Sequence, residues 1–511
     1  MKIPGAAFVA AGILLSRLAG LVRLRVFAHY FGLQSDAADA FNAAFRIPNF
    51  LQNLFGEGAL SASFIPVYAS LLGRGRQAEA DQVAGAVGAI LALVVAVLVL
   101  AGLVTTPLLI GALAPGFIGE KRELTIHIVR ILFPGTGLLV LSAWCLGVLN
   151  SHRRFLLSYA APIMWNAAMI TTLWWFGGRS DLDDLAVMLA WGSVVGSALQ
   201  CAVQLPVVWR VAPHLQCSLN ATFVYVREVI RNFVPVLVSR GVVQISAYID
   251  AILASLLPTG AVTGLANAQL LYTLPVSLFG ISVSAAELPE MSEAATADAI
   301  RRRLDTGLRQ IAFFVIPSAV AFLALGDVIA AALLQTGRFR PTDATYVWGI
   351  LAGSAVGLLA STLGRLYASS YYALRDTRTP LRYALVRVTL TAALGYVAAM
   401  HLPVLLAIPL RWGAAGLTAS AGVAAWVEML LLRRTLNARI GRTGLQSRYA
   451  LQLWSAASTG AAVAWAVKLA LPPMHPICAA ILILSSYGVT FFASTWILKI
   501  PEATIALRRL R

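Results

Sequence analysis

Seven arginines lie within long apolar runs of this sequence, where a guanidinium group is costly. An arginine near the centre of a membrane-spanning helix costs roughly 2.5–3.5 kcal/mol on insertion scales, so it must face water, pair with an acid or bind an anion. Arg17 and Arg240 lie well inside their runs, whereas arginines near the end of a run can reach the membrane surface. The pattern predicts a cavity in which arginines bind an anion. The seven are Arg17, Arg23, Arg25, Arg46, Arg130, Arg240 and Arg365.

Neighbouring charges refine this prediction. Arg23 and Arg25 are two positions apart and point to different sides of a helix, so we expect only one of them, taken as Arg23, to face the cavity. Asp250 follows Arg240 by ten residues, about 15 Å of helical rise, which is too far for a direct pair. Asp250 therefore needs another partner, and a cation is the candidate.

The second apolar run combines acids with helix-breaking residues. Asp39 and Glu57 are 18 positions apart, about five turns, and would share one face of a continuous helix, with Asn49 and Gln52 between them. We predict that all four side chains contribute to substrate binding. Prolines and glycines free backbone groups and allow membrane helices to bend, which predicts hinges here and in the run 262–291. The predicted hinge residues are Pro48, Gly58, Pro66, Pro275 and Pro289.

Composition fixes the class of protein that must position these residues. Of 511 residues, 59% are hydrophobic and only 12% are charged, and the mean hydropathy is +0.79. A soluble fold could not bury that much apolar surface, so we predict an all-α polytopic membrane protein with about 14 transmembrane helices. The predicted spans are 5–32, 38–70, 82–112, 124–149, 156–176, 184–209, 229–256, 262–291, 308–334, 344–373, 383–401, 412–432, 450–470 and 476–498.

The basic residues indicate topology rather than nucleic-acid binding. The net charge is +17, and the loops after even-numbered spans, together with the termini, hold 25 of the lysines and arginines against 7 in the other loops. This bias places both termini in the cytoplasm and the remaining charge near anionic membrane lipids. The four cysteines and six histidines have no metal-ligand or disulfide spacing, and we expect no metal site and no cofactor.

An internal repeat divides the chain. Ser16-Arg17 recurs as Ser239-Arg240 after 223 positions, and the triplet 54–56 recurs at 278–280 after 224. Six spans separate the copies, which predicts two parallel six-helix lobes, residues 1–215 and 216–440, followed by two extra helices in residues 441–511. Transporters of this kind bind substrate between their repeats, and the repeat relates Arg17 to Arg240.

Several segments resemble the MurJ/MviN family of lipid II flippases. The resemblance runs through most of the chain and implies the fold of the multidrug/oligosaccharidyl-lipid/polysaccharide exporter superfamily. That fold has two six-helix lobes in a V, with spans 13 and 14 flanking a groove for a lipid tail. The segments that carry it are SRLAGLVR (16–23), DAFNAAFRIPNFLQNLFGEGALSASFIPVY (39–68), LPVSLFGISVSAAELPEMS (274–292), LLQTGRFRPTDA (333–344) and YYALRDTRTP (371–380).

The resemblance also implies a site. In the family, cavity arginines in the first, second and eighth helices engage a diphosphate, and Arg17, Arg23, Asp39 and Glu57 match that pattern. The chain departs from it at three positions: Gln52 replaces the usual arginine of the second helix, and Leu270 and Thr273 replace the charges of the eighth. The span 383–401 lacks the acids and asparagines that bind sodium in some members, and the resemblance would match Asp250 to a cation ligand in the seventh helix. From the internal repeat, and not from the resemblance, we expect Arg240 to supply the missing charge.

The leading hypothesis is a flippase that moves lipid II, a polyprenyl-diphosphate-linked sugar, across the bacterial inner membrane by alternating access. A coupling cation (Na⁺ or H⁺) or the membrane potential would drive it, and cell-wall synthesis enzymes are the expected protein partners. Three alternatives stay open: a flippase for another polyprenyl-linked glycan, a cation-coupled exporter and a scaffold that has lost transport. An enzyme is not expected, because the Arg-rich cytoplasmic loops have few acids for a catalytic metal cluster.

Overall fold

The computed structural model describes residues 5–219, 223–293 and 296–503, without the side chains of residues 5–11, 13, 57, 238–247 and 293. Within these ranges the chain is helical and has no strand, and each of the fourteen predicted spans overlaps a helix or a run of helical segments. Ten of the described helices are long and apolar enough to cross a membrane. The protein is therefore an all-α polytopic membrane protein, as its composition predicts.

The first half of the chain contains helices α1 to α10. Span 2 is divided into α2, α3 and α4, and span 5 into α7 and α8. The bounds are α1 Gly5–Phe31, α2 Asp36–Phe55, α3 Glu57–Ser63, α4 Ile65–Gly73, α5 Gln77–Leu113, α6 Gly119–Ser151, α7 Phe155–Ala160, α8 Pro162–Phe176, α9 Leu182–Val211 and α10 Val224–Ser255.

The second half contains helices α11 to α19. A π-helical segment joins α11 to α12 and another joins α15 to α16. The bounds are α11 Ala261–Pro275, π segment Val276–Ile281, α12 Ser282–Glu293, α13 Ala297–Leu334, α14 Pro341–Ala373, α15 Arg378–Tyr396, π segment Val397–His401, α16 Leu402–Leu405, a 3₁₀ turn Leu410–Trp412, α17 Gly413–Ile440, α18 Ser447–Ala470 and α19 Pro476–Ile497.

The helix irregularities coincide with the repeated triplet. The α2–α3 break is at Gly56, the last residue of Leu54-Phe55-Gly56, and the π segment Val276–Ile281 contains Leu278-Phe279-Gly280. A Cβ at Gly56 would lie 2.2 Å from the carbonyl oxygen of Gln52, so no larger residue fits this backbone. Each copy of the triplet therefore lies at a place where its helix departs from α geometry.

Three of the five predicted hinge residues lie within two residues of a helix boundary, and the other two lie inside a helix. Pro48 lies inside α2 and Pro289 inside α12, while Pro66 is in the first turn of α4, a position that needs no backbone donor. Pro275 ends α11, next to the π segment. Gly58 is in α3, two residues after the break. The role of these residues as hinges stays a prediction.

Two compact units divide the chain. The first contains residues 1–256 and Thr336–Phe339, and the second contains Leu257–Gln335 and residues 340–511. In the first, α6 packs against α9, α2 and α5, while α10 packs against α3 and α5. Span 7 (α10) thus packs with the N-terminal helices, whereas the repeat assigns it to the segment 216–440. The lobe boundaries at 215 and 440 stay a prediction about the repeat.

In the second unit, the long helices α13, α14 and α17 form the core, and α18 and α19 pack on α13. Trp465 Nε1 of α18 donates to the carbonyl of Ala324 at 2.9 Å, and Tyr487 of α19 donates to that of Pro317 at 2.7 Å. Lys468 forms an ion pair with Asp327. Helices α18 and α19 are therefore bound to the part of α13 between Pro317 and Asp327.

Candidate functional site

A polar cavity of about 790 Å³ lies inside the first unit. Among the side chains that the structure describes, twelve line it; six of these carry an amide or hydroxyl group, and none of these twelve is charged. Such a lining is unusual in an apolar helix bundle, where polar groups face either a partner or water. The lining residues are Gln52 and Asn53 of α2; Gly58, Ser61 and Ala62 of α3; Leu139, Ser142, Ala143 and Leu146 of α6; Ser158 of α7; Pro162 of α8; and Gln200 of α9.

The helix break at Gly56 positions the α2 and α3 side of this cavity. Gly56 is extended (φ −79°, ψ −155°), and its N–H donates to the carbonyl of Gln52 at 2.8 Å. The chain restarts as α3, so Gln52 before the break and Ser61 after it both line the cavity. Asp39 and Glu57 belong to different helices, so the expected face of one continuous helix is wrong.

A chain of buried side-chain hydrogen bonds forms the opposite wall. Gln200 Nε2 donates to Ser142 Oγ at 2.9 Å, and Ser142 Oγ donates to Gln204 Oε1 at 3.0 Å. All three residues are buried, and Ser142 and Gln200 also line the cavity. Because Ser142 both accepts and donates, its bonds fix the orientation of both glutamine amides.

Arg23 is held between aromatic rings. Its guanidinium carbon lies 4.6 Å from the centroid of the Trp165 ring and 5.7 Å from that of Phe45, and Nη1 contacts Met169 Sδ at 3.4 Å. Trp165 is fixed in turn, since its Nε1 donates to Ser193 Oγ at 3.1 Å. Stacking on aromatic rings uses the faces of the guanidinium group. Its N–H groups point outward from the edge of the plane, where they can bind an oxyanion.

Asn49 lies in a second, smaller cleft beside this aromatic pair. The cleft has a volume of about 10 Å³, roughly the space that one water needs. Phe45, Asn49 and Ser193 line it. The predicted residues Asn49 and Gln52 therefore line neighbouring spaces in the first unit. We call the two rings that hold Arg23, Phe45 and Trp165, the aromatic clamp; Phe45 also lines the smaller space, beside Asn49.

The other predicted residues are placed differently. Arg17 is exposed on α1 and is not among the residues that line either space. Asp39 is also outside both linings, because it is buried in an ion pair with Lys121 at 3.0 Å. The side chains of Glu57 and Arg240 are outside the described residues. Their roles in substrate binding stay predictions.

Asp250 is half-buried on α10. In the described part of the chain, no three His, Cys, Asp or Glu side chains come together as a metal site. Binding of a coupling cation by Asp250 therefore stays a prediction.

The motif 371–380 forms a capped turn in the second unit. The Asp376 carboxylate accepts from the backbone N–H groups of Arg378 and Thr379, both at 3.0 Å, and from Thr379 Oγ1 at 2.7 Å. Arg439 also pairs with it at 2.8 Å. The bonds from Thr379, followed by those from Arg439, favour the charged form and hold the pKa of Asp376 at about 2. The motif thus begins α15.

Sequence reasoning missed Ser142, Gln200 and Trp165, which form the wall and the clamp. These three residues carry no charge themselves, and neutral polar groups are common in membrane helices. One signal was present: Gln200 and Gln204 are four positions apart on α9 and therefore on one face.

Comparison with known proteins identifies the family. A family model described as "Lipid II flippase MurJ" matches residues 27–497. The lipid II flippase MurJ of Burkholderia cenocepacia is 33% identical over 435 residues, which cover 83% of this chain and 82% of that protein. The probable lipid II flippase MurJ of Rhizobium tropici is 31% identical over 470 residues, 88% of this chain and 84% of the relative.

Solved structures share the fold. A structure described as "Lipid II flippase MurJ, inward closed conformation" matches with a TM-score of 0.77 and 21% identity, over 96% of this chain and 98% of that one. An inward-facing multidrug transporter of the MATE family matches with a TM-score of 0.65 and 17% identity, over 84% of this chain and 98% of that one. The match to the family model over most of the chain and the identity to curated relatives lead to one conclusion: the chain belongs to the MurJ family of lipid II flippases.

Proposed function

We propose that this chain translocates lipid II across the bacterial cytoplasmic membrane. The observation that carries the proposal is its membership of the MurJ family over residues 27–497. The polar cavity inside the first unit supports it, since the head group of a lipid-linked saccharide cannot cross hydrocarbon without losing its hydrogen bonds to water. A polar route removes that penalty, while the polyprenyl tail stays in the lipid.

The proposed mechanism assigns the diphosphate to the arginines. The aromatic clamp holds Arg23 in one orientation, which reduces the entropy lost when it binds an oxyanion. Arg17 and Arg240 would add charge at repeat-related positions. Alternating access would use bending at the irregular segments, Gly56 in the first unit and Val276–Ile281 in the second.

Release of an anionic lipid on the far side of the membrane needs a driving force. The proposal includes a cation (Na⁺ or H⁺), with Asp250 as one ligand, or the membrane potential acting on charge. Both termini are proposed to be cytoplasmic, because the lysine and arginine bias of the loops holds along the chain. Membrane lipids and cell-wall synthesis enzymes are the proposed partners. The family name describes a transporter, in keeping with the prediction that the chain is not an enzyme.

The experiment is rescue of a bacterium depleted of its own lipid II flippase, with lipid II at the outer surface measured by an impermeant probe. The wild-type chain should restore both growth and surface lipid II. Neutralising Arg23 with glutamine should abolish rescue, whereas the matched change Arg302→Gln on an exposed turn of α13 should not. Normal membrane levels of the wild-type chain without surface lipid II would overturn the proposal.

A further inference from the structure

A buried carboxylate, Asp81, lies near the start of α5 in the first unit, and its side chain is fully buried. Gln77 Nε2 donates to its Oδ1 at 2.9 Å, and the backbone N–H of His214 donates to its Oδ2 at 3.1 Å. Gln77 Nε2 also donates at 3.1 Å to the carbonyl of Val211, the last residue of α9. Asp81 and Gln77 therefore bind the chain that leaves α9 to the first turns of α5.

A tyrosine and a histidine extend this network to α4 and α6. Tyr68 of α4 is fully buried, and its hydroxyl lies 2.9 Å from Nε2 of His152, the residue that follows α6. The same hydroxyl bonds to the Asp81 carboxylate. Because a carboxylate can only accept, the one hydroxyl hydrogen of Tyr68 goes to Asp81, and the Nε2–H of His152 donates to Tyr68. The network assigns the proton of neutral His152 to Nε2.

The same face of α4 also packs on α6 one turn earlier. The ring of Tyr68 stacks on that of Phe64 with centroids 5.1 Å apart, and a Cβ at Gly147 of α6 would lie 3.1 Å from the Phe64 ring. We call these contacts, Phe64 against Gly147 and Tyr68 against His152, the α4–α6 junction. Helix α4 is the last segment of the span that breaks at Gly56, so the junction fixes the end of this broken span against α6.

A charge on His152 works against this junction. Tyr68 of α4, Asp81 of α5 and Arg154, which precedes α7, face His152. Burial lowers the pKa of His152 below its usual value of 6.5, Arg154 lowers it further, and Asp81 opposes them. The unfolded chain therefore binds this proton more readily, so stability is present above pH 6.5 and is lost as the pH falls below it. His214 Nδ1 reaches the same carboxylate at 3.5 Å, but its side chain is 62% exposed and solvent screens its charge.

We propose that the α4–α6 junction is a pH-sensitive latch with His152 as its proton-sensing residue. Neutral His152 keeps the latch closed, and a second proton, taken from water onto Nδ1, places a positive charge in the half-buried junction and opens it. Opening frees α4 from α6, so bending at Gly56 is no longer transmitted to a fixed end of the span, and translocation slows. The latch goes beyond the proposed function, and transport is only one of its readouts.

Hydrogen exchange tests the latch on the wild-type chain alone. The purified protein in micelles is compared about one pH unit above and one below the usual histidine pKa, with rates corrected for their intrinsic pH dependence. The backbone amides of α4 should exchange severalfold faster at the lower pH, whereas those of α18, in the second unit, should not change. Equal protection of α4 at both pH values would overturn the proposal.

Three variants assign the effect to one histidine. His152→Gln keeps an N–H donor for Tyr68 but cannot take a second proton, so α4 should stay protected at both pH values. Tyr68→Phe keeps the ring and removes the hydroxyl, so α4 should exchange fast at both. The matched control His214→Gln removes the exposed imidazole and keeps the backbone donor to Asp81, so it should retain the wild-type pH dependence. A pH effect that persists in His152→Gln, or disappears in His214→Gln, would overturn the assignment.

Translocation in vesicles separates the latch from the proposed function. The same buffer is used on both sides, so that no proton gradient is present. Wild-type translocation of lipid II should be severalfold slower at the lower pH, and His152→Gln should lose this dependence. A folded wild-type chain that translocates no lipid II at either pH contradicts the proposed function, while hydrogen exchange still tests the latch. Normal translocation whose pH profile is the same in wild type and His152→Gln contradicts the latch alone.

Discussion

Replacing Lys121 by methionine should destabilise the first unit, because Lys121 neutralises the buried carboxylate of Asp39. The ammonium group lies 3.0 Å from Asp39 and 2.9 Å from Asp36, and the exposed fractions of these side chains are 14% for Lys121, 2% for Asp39 and 59% for Asp36. Removing one partner of a buried pair costs roughly 3–5 kcal/mol. We expect the lower end, about 3 kcal/mol, since Asp39 is in the first turn of α2, where the helix dipole favours negative charge.

A double-mutant cycle isolates this pair. Asp39→Asn removes the buried charge, so the double variant Asp39→Asn/Lys121→Met should be more stable than the sum of the single effects predicts, by roughly 1–3 kcal/mol. The assay is the free energy of unfolding of the purified protein in mixed micelles, with lipid II translocation measured in parallel. The double variant should still translocate lipid II. If the two single changes in unfolding free energy were additive, the structural role of Asp39 would be refuted. A well-folded double variant that does not translocate lipid II would favour substrate binding by Asp39.

Three further predictions concern the break, the clamp and the capped turn. Gly56→Ala should lower translocation and cost about 1–3 kcal/mol of unfolding free energy, because its Cβ would meet the Gln52 carbonyl, whereas Gly111→Ala, with nothing within 4 Å, should be neutral in both assays. Trp165→Leu should weaken binding of undecaprenyl diphosphate severalfold with normal folding, since Arg23 loses its stacking partner; unchanged affinity would contradict the clamp. Asp376→Asn should lower thermal stability at neutral pH. Because the pKa of Asp376 falls from 3.8 to about 2 on folding, the wild-type chain should be the more stable one above pH 3.8, and this difference in stability should disappear as the pH falls towards 2. Equal stability of the two chains near neutral pH would contradict this.

The helical architecture could be predicted because hydropathy alone determines it. Every backbone group within the bilayer must be satisfied inside its own segment, so long apolar runs become helices and polar breaks become loops. The repeated triplets 54–56 and 278–280 coincide with the break and the π segment, although the sequence analysis used them only as evidence of a repeat. The sequence did not show why Gly56 is the residue at the break. The hinge prediction relied mainly on prolines, whereas Gly56 is required because the Gln52 carbonyl approaches it too closely for a side chain.

The site was predicted in part. Charges in apolar runs predicted that Arg23 faces a cavity; the structure places it against rings of α2 and α8, which only tertiary structure brings together, and its role in binding stays a prediction. The ion pair of Asp39 with Lys121 could not be predicted, because Lys121 is 82 positions away in the sequence, and substrate binding by Asp39 stays a prediction. The neutral wall of Ser142 and Gln200 carries no charge, and charge was the signal on which the search relied.

Reconstitution tests the central claim most directly. The purified chain is inserted into vesicles with labelled lipid II, and the fraction of head groups that reach an impermeant probe is followed with and without a membrane potential or a sodium or proton gradient. Protein-dependent exposure of lipid II, lost in Arg23→Gln, is the expected result. Exposure no faster than in protein-free vesicles under every gradient, with the protein correctly folded, would contradict the account.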